Sequence, residues 1–422
     1  MGQKPLYNIL MYSHDTYGLG HIRRTMSIAG HLRASDVNVL ILTGSPIAGR
    51  FSFPENVDFV RIPGMIKQTN DEYRSLSIRI DPEHALNIRK SIIAATTRTF
   101  RPDLFIVDKE PLGLKKEVLP TLQWLKEHAP RTRTILGLRD IMDDRETVRA
   151  DWRHKDVYRR LEELYSEIWI YGRQDIYDAV AEYDLPAAIR DRVHFTGYLP
   201  RRVASDRAAA KTRKKFCVGQ GERMIVVTAG GGGDGYAMME TYLAMHEQEA
   251  LPGIRSVLIT GPFMPRQQRR LLARRARPFR IKVVPFYPRM EEVFAAADLV
   301  VSMGGYNTVC EILSQKTPSL IIPRETPRRE QLLRATAFGR QGLVDFLPWP
   351  ELAADTLHAR IMSMLDSLPT YRQAIARFPL DGIDFIKARL AAFRRGEEPG
   401  AGGATAAETE EPPVSGLRAT GC

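Results

Sequence analysis

At 422 residues the chain exceeds what one ordinary hydrophobic core organises, and its length implies two or three domains. A hydrophobic content of 44% with 8% aromatics is that of a globular protein, and no apolar run approaches the ~18 residues a membrane helix needs. The net charge is +11, but the segment after Arg395 holds five Glu and one Arg, so the preceding body carries +15, an excess suited to anionic partners.

The N-terminus, "MGQKPLYNILMYSHD", leads directly into a patterned apolar run and reads as a first strand, not a signal peptide, so a cytoplasmic location is expected. From there short β-branched runs alternate with amphipathic helical segments. "YNILMYS" is followed by a glycine-containing loop and the helix "RRTMSIAGHLRA", then by "NVLILTG", "DLFIVD", "TILGLRD", "EIWIYG" and "RVHFTG". After a basic, irregular stretch the pattern restarts with "RMIVVTA", "SVLITG", "IKVVPF", "LVVSMGG" and "SLIIP". Runs this hydrophobic, spaced by helices, predict parallel sheets covered on both faces. The fold class is therefore α/β, with two Rossmann-like, doubly wound domains facing a cleft. Boundaries fall at 1–200 and 222–395, with a linker over 201–221. The remainder, 396–422, is poor in large apolar residues and reads as a disordered acidic tail. Three scattered cysteines (Cys217, Cys310, Cys422) suggest neither a disulfide framework nor a metal site.

In doubly wound sheets ligands sit at the carboxyl ends of the strands, where the glycine-rich loops fall. "TAGGGGDGY" places Gly230, Gly232 and Gly235 in a G-x-G-x-x-G spacing. A dinucleotide site also needs an acid at the end of the next strand, and that strand ends in Thr260-Gly261-Pro262. The first loop has Gly18 and Gly20, but Arg23 stands where a third glycine belongs. No NAD or FAD cofactor is expected. Glycines at a helix start still admit a phosphate to free backbone N–H groups and to the positive end of the helix dipole. In "VSMGGYNTVCEIL", Gly304-Gly305 fit that use. Glu311, six residues further, stands about 9 Å up the axis, where a carboxylate can hold a ribose diol. A glutamate on an exposed helix face is the ordinary alternative.

The segment "FYPRMEEVFAAADLVVSMGGYNTVCEILSQKTPSLIIPRETPRREQLLRA" resembles the donor-binding half of the MurG-type N-acetylglucosaminyltransferases and their GT-B relatives. The resemblance covers residues 283–335 most strongly, and in the N-terminal half it rests on "GLGHIRR". It implies a UDP-sugar donor, transfer of a hexose or N-acetylhexosamine, and an acceptor that in this family is often lipid-linked. Residue by residue, it implies that Glu311 binds the ribose and that Gly304, Gly305 and Tyr306 offer N–H groups to the diphosphate. Tyr287 would stand where the uracil is read, largely through backbone. Glu330 and Gln331 stand where the family has paired glutamines on the sugar, and Glu330 departs from that pattern. Gly231, Gly232, Gly233 and Asp234 would face the phosphates or the acceptor.

His21 closes the first loop at a helix start, which favours the neutral imidazole, and it matches the loop histidine proposed as base in this family. A structural histidine closing the loop is the plain alternative. Asp15 and Asp140 are rivals for the base, and Asp108 also ends a strand, although Asp there commonly caps the next segment. No Asp-x-Asp element ends a strand, so no metal is expected. Met303 stands eight residues before Glu311, where retaining relatives have a second glutamate, so inversion is expected. The arginines of "PRQQRRLLARRARPFRIK" suit a solvated helix face or an anionic membrane surface, implying a peripheral association. Without aromatic interleaving or a recognisable module, no nucleic-acid partner is expected. Two other functions remain open: a UDP-sugar 2-epimerase and a non-catalytic nucleotide-sugar-binding protein.

Overall fold

The computed structural model describes residues 6–15, 20–50, 53–67, 73–231, 233–249 and 251–396. Gly18, Gly232 and the acidic tail from 397 onward lie outside the described residues. The first half contains strands β1 (Tyr7–Ser13), β2 (Val37–Thr43), β3 (Val57–Arg61), β4 (Met65–Lys67), β5 (Tyr73–Ser75), β6 (Leu104–Asp108), β7 (Arg133–Arg139), β8 (Glu167–Tyr171) and β9 (Val193–Phe195). The second contains β10 (Arg223–Thr228), β11 (Ile254–Ile259), β12 (Ile281–Val284), β13 (Leu299–Ser302), β14 (Ser319–Ile321) and β15 (Asp345–Phe346).

One sheet runs β3-β2-β1-β6-β7-β8-β9 and the other β12-β11-β10-β13-β14-β15, while β4 and β5 form a separate antiparallel pair. Every pairing within the two large sheets is parallel. The residues explain this. β6 and β8 are buried at every position, as strands covered by helices on both faces must be. Along β1 the alternation is resolved by face: Ile9 and Met11 enter one hydrophobic cluster, Leu10 and Tyr12 another. In each sheet the strand order reverses beside the first strand, at β1/β6 and at β10/β13. Crevices open at such reversals.

The two sheets are joined by more than chain. The cluster under the β1 face continues into Tyr306, Val309, Cys310 and Leu313 of the helix Tyr306–Ser314 and into Phe338 of the helix Glu330–Arg340. Across this seam Arg334 donates from Nε and Nη2 to the two oxygens of Asp140, at 2.8 and 2.7 Å, with both side chains buried. The last helix, Gly382–Arg394, packs back on the first half: Phe393 stacks on Trp169 at 6.4 Å, Arg389 pairs with Glu167 and Arg394 with Asp36.

The stretch 201–221, read from sequence as an irregular linker, instead contains a helix, Asp206–Lys215, capped by Ser205. It packs on the helix Met290–Ala296, and Arg213 donates to the carbonyls of Ala296 and Glu222. Its sequence, DRAAAKTRKK, is polar almost all round, so it carries no apolar stripe for periodicity to detect.

Removing one member of a buried ion pair strands the other charge. Asp140→Ala is expected to lower unfolding free energy by about 3–5 kcal/mol in urea titrations; a loss below about 1 kcal/mol would contradict the buried pairing.

Candidate functional site

The two strand-order reversals face each other across a cleft of about 430 Å³, within the range of small-molecule sites. Its walls bring together Gly20 and His21 from the first half with Gly230, Gly231, Gly233, Asp234, Gly304, Gly305, Tyr306, Glu330 and Gln331 from the second.

The glycine mouth is built as a phosphate would need it. Gly304 has φ +76°, and a Cβ there would stand 2.6 Å from the Ile321 side chain, so only glycine fits. Gly305 is the N-cap of the Tyr306–Ser314 helix and no side chain caps it, leaving the first-turn N–H groups to the cleft that Tyr306, Asn307 and Thr308 line. Opposite, Gly235 opens the helix Tyr236–Gln248, also without a side-chain cap. Arg324 spans the second wall: Nη1 donates to Asp234 at 2.6 Å and Nη2 to Glu330 at 3.0 Å, while its backbone N–H donates to Gln331 Oε1 at 3.0 Å. Glu330 is buried and its Oε2 has no partner.

His21 is the second residue of the helix Gly20–Leu32, and its Nδ1 lies 2.6 Å from Asp108 Oδ2. Asp108 also accepts from Arg24 Nε and Nη2, at 2.9, 2.6 and 2.8 Å. Burial alone would raise the Asp108 pKa, but Arg24 and His21 overcome it and hold the carboxyl well below the usual range. An ionised carboxylate cannot donate, so Nδ1 carries the hydrogen and the 3.2 Å approach of Arg24 Nη2 to the same nitrogen is a close contact only. Nε2 is left unprotonated. Burial pushes the His21 pKa down to about 4, against the pull of Asp108. The His14 ring meets that of His21 edge-on at 5.7 Å and packs it in place.

The other candidates fall elsewhere. Asp15, a rival for the base, is buried outside the cleft lining. It accepts from the Ile22 N–H, capping the His21 helix, and from the Thr43 hydroxyl. Asp140, the second rival, is held by Arg334, Tyr198 and its own neighbour's N–H. Neither lines the cleft, and each is turned to these partners in the protein. The Tyr287 side chain points into the core, against Phe216 and 4.5 Å from Lys215 Nζ, so only its backbone is available to a base. Glu311, expected in the site, is buried and not part of the cleft lining, and pairs with Arg23 Nη2 at 2.6 Å. Beside it Asn307 Nδ2 donates to the Gly20 carbonyl at 2.8 Å, and Arg201 donates to Asn307 Oδ1.

Sequence reasoning missed Arg24, Arg139, Arg201 and Arg334. In sequence they are arginines among 61 basic residues. Only Arg24 carried a usable signal, one helical turn after His21 on the same face.

With this geometry in view, residues 224–381 match the family model described as glycosyltransferase family 28 C-terminal domain. That stretch is similar to this domain, and the two parallel sheets facing one cleft give the chain the GT-B fold. A UDP-N-acetylglucosamine–N-acetylmuramyl-(pentapeptide) pyrophosphoryl-undecaprenol N-acetylglucosamine transferase from Carboxydothermus hydrogenoformans is 32% identical over 183 residues, 41% of this chain and 47% of that protein. Its namesake from Streptococcus thermophilus is 40% identical over 83 residues, 19% of this chain and 23% of that one. The chain thus spans about half, or less, of the length of these relatives. Among solved structures, Acinetobacter baumannii MurG superposes with a TM-score of 0.61 at 12% identity, covering 92% of this chain and 99% of that one. A UDP-GlcNAc 2-epimerase from Neisseria meningitidis gives 0.59 at 12% identity, covering 93% and 100%. The fold therefore does not separate transferase from epimerase.

A histidine with a lowered pKa contributes stability that is present above its unfolded pKa near 6.5 and is lost as pH falls toward about 4. Histidine NMR, assigned with His21→Asn, is expected to show a neutral Nδ1–H ring from pH 8 to 5, protonating only near 4. A midpoint between 6 and 7 would contradict the buried, neutral base.

Proposed function

We propose that the chain is a glycosyltransferase that moves a hexose or N-acetylhexosamine from a UDP-sugar to an acceptor hydroxyl, with inversion and without a metal ion. The observation that carries the proposal is the opposition, across one cleft, of an uncapped helix mouth at Gly304–Gly305 and a neutral histidine backed by an ionised aspartate. The UDP moiety is supported by the names of the relatives that match the second half.

In this reaction the diphosphate lies at the first-turn N–H groups, with Arg324 beside it, and the sugar faces Glu330 and Gln331. His21 Nε2 takes the proton from the acceptor hydroxyl as its oxygen bonds to the anomeric carbon. The bond from that carbon to the diphosphate oxygen breaks, and UDP leaves with the electron pair. The helix mouth and Arg324 stabilise the charge that develops on the leaving group. Asp108 holds the imidazole tautomer and stabilises the imidazolium once formed. Residues 1–200 would hold the acceptor and 222–395 the donor. The epimerase is disfavoured because it needs several free acid and base groups about the sugar. Asp15, Asp108 and Asp140 are committed to other partners, leaving Glu330 with a free oxygen.

Among the described residues no helix is long and apolar enough to cross a membrane. The exposed Arg266, Arg270, Leu271 and Arg274 of the helix Arg266–Arg275 support contact with an anionic membrane from the cytoplasmic side, where a lipid-linked acceptor would be reached.

Ribose would compete with Arg23 for Glu311. Calorimetry with UDP is expected to show at least a tenfold loss in Glu311→Ala, whereas Arg23→Ala leaves affinity unchanged or raises it by up to about fivefold, the worth of a half-exposed ion pair. Loss of affinity in Arg23→Ala would instead make Arg23 the ligand. With a panel of UDP-, GDP- and TDP-sugars, the wild type should release UDP slowly, and His21→Ala should cut that rate about 10²–10⁴-fold. The rate should be flat above pH 5 and fall below about 4. Interconversion of two UDP-sugars would overturn the transferase.

A further inference from the structure

The arginines around the cleft are matched one by one, with one exception. Arg23 pairs with Glu311, Arg24 with Asp108, Arg324 with Asp234 and Glu330, Arg334 with Asp140, and Arg201 donates to Asn307. Arg139, at the carboxyl end of β7, lines the same cleft and has no such partner. Its Nε is buried without a hydrogen bond, and among the described residues no carboxylate lies within ion-pair distance of its guanidinium. Burial together with Arg24, Arg334 and Arg328 pushes its pKa down to about 10, and Glu330 is the acid that partly opposes them. Arg139 and Arg328 in turn help burial push the neighbouring Lys109 down to about 8, although Lys109 is 3.0 Å from Glu110. Arg328 is held only loosely, 4.0 Å from Asp143.

A partly buried, unmatched cation among other cations is unfavourable unless something anionic relieves it. Glu330, with one oxygen free, opposes these cations but makes no ion pair with Arg139, which leaves an anionic group on a ligand to complete the relief. From this placement we infer that Arg139, flanked by Arg328 and Lys109, forms a second anion subsite in the cleft, separate from the nucleotide diphosphate at Gly304–Gly305, for a phosphate or carboxylate group of the substrate. The subsite rests on the donor reading above for the identity of the first anion. It lies on the first sheet, at the end of the strand next to the one that ends in Asp108. An acceptor held by its anionic group there would stand beside His21, while an acidic group on the transferred sugar would reach Arg139 from the side of Glu330.

The test uses the full-length protein saturated with UDP-glucose, with inorganic phosphate titrated in and followed by calorimetry. If the anion belongs to the acceptor, phosphate binds alongside UDP-glucose, Arg139→Gln weakens it at least tenfold, and Arg139→Lys weakens it less. If the anion belongs to the sugar, phosphate is excluded. UDP-glucuronate then binds about tenfold tighter than UDP-glucose, an advantage that Arg139→Gln abolishes. Either result supports the subsite. Equal behaviour of wild type and Arg139→Gln in both titrations would overturn it. So would a loss of UDP affinity as large as the loss for phosphate, which would put Arg139 on the donor's own diphosphate. If wild type binds no UDP, the donor reading fails by itself, and phosphate binding to the free protein still decides the subsite through its dependence on Arg139.

Discussion

The cleft depends on one buried guanidinium. Arg334 comes from the second half, holds both oxygens of Asp140 at the end of β7 in the first half, and donates a third bond from Nη1 to the Gly304 carbonyl at 3.1 Å. It thereby fixes the glycine mouth relative to the loops after β6 and β7. Burial works against the charge, but Asp140 outweighs it and holds the group protonated. The planar fork is what makes this possible, since a lysine ammonium could not satisfy a bidentate carboxylate and a carbonyl in one plane. The Tyr306 ring, 5.7 Å from the Arg334 guanidinium and 5.8 Å from that of Arg24, packs between the two buried ion pairs.

The same logic organises the chemistry. Arg24 keeps Asp108 ionised, Asp108 fixes the tautomer of His21, and Asp15 caps the helix that carries His21. Each carboxylate at the strand ends of the first sheet therefore serves position or tautomer, and the imidazole is left as the neutral group with a free nitrogen. On the facing side the second sheet presents backbone donors, with Arg324 restrained between Asp234 and Glu330. The division follows from where each sheet reverses its strand order.

Much of this was legible in the sequence. The restarting β-branched runs gave two parallel sheets, and Gly304-Gly305 before an apolar helix marked a tight turn into an uncapped helix mouth. Short edge strands such as β3 and β15 escaped, because "VDFVR" and "DF" carry too little apolar periodicity to stand out. The helix Asp206–Lys215 escaped for the opposite reason, being charged on nearly every side. Pairings across the two halves were illegible: nothing local distinguishes Arg334 or Arg139 from a surface arginine, and Asp140 at a strand end looks like a base until its partner, 194 residues away, is seen. Glu311 stood out by its spacing from Gly304-Gly305, but its contact with Arg23 depends on how the halves meet.

The position of the bound nucleotide is the most direct test, and a crystal structure with UDP decides it. The diphosphate is expected at the N–H groups of the Tyr306–Ser314 helix mouth, with the ribose on Glu311 and Arg23 displaced from that carboxylate. UDP bound elsewhere, or a Glu311–Arg23 pair left intact beside a bound nucleotide, would contradict it.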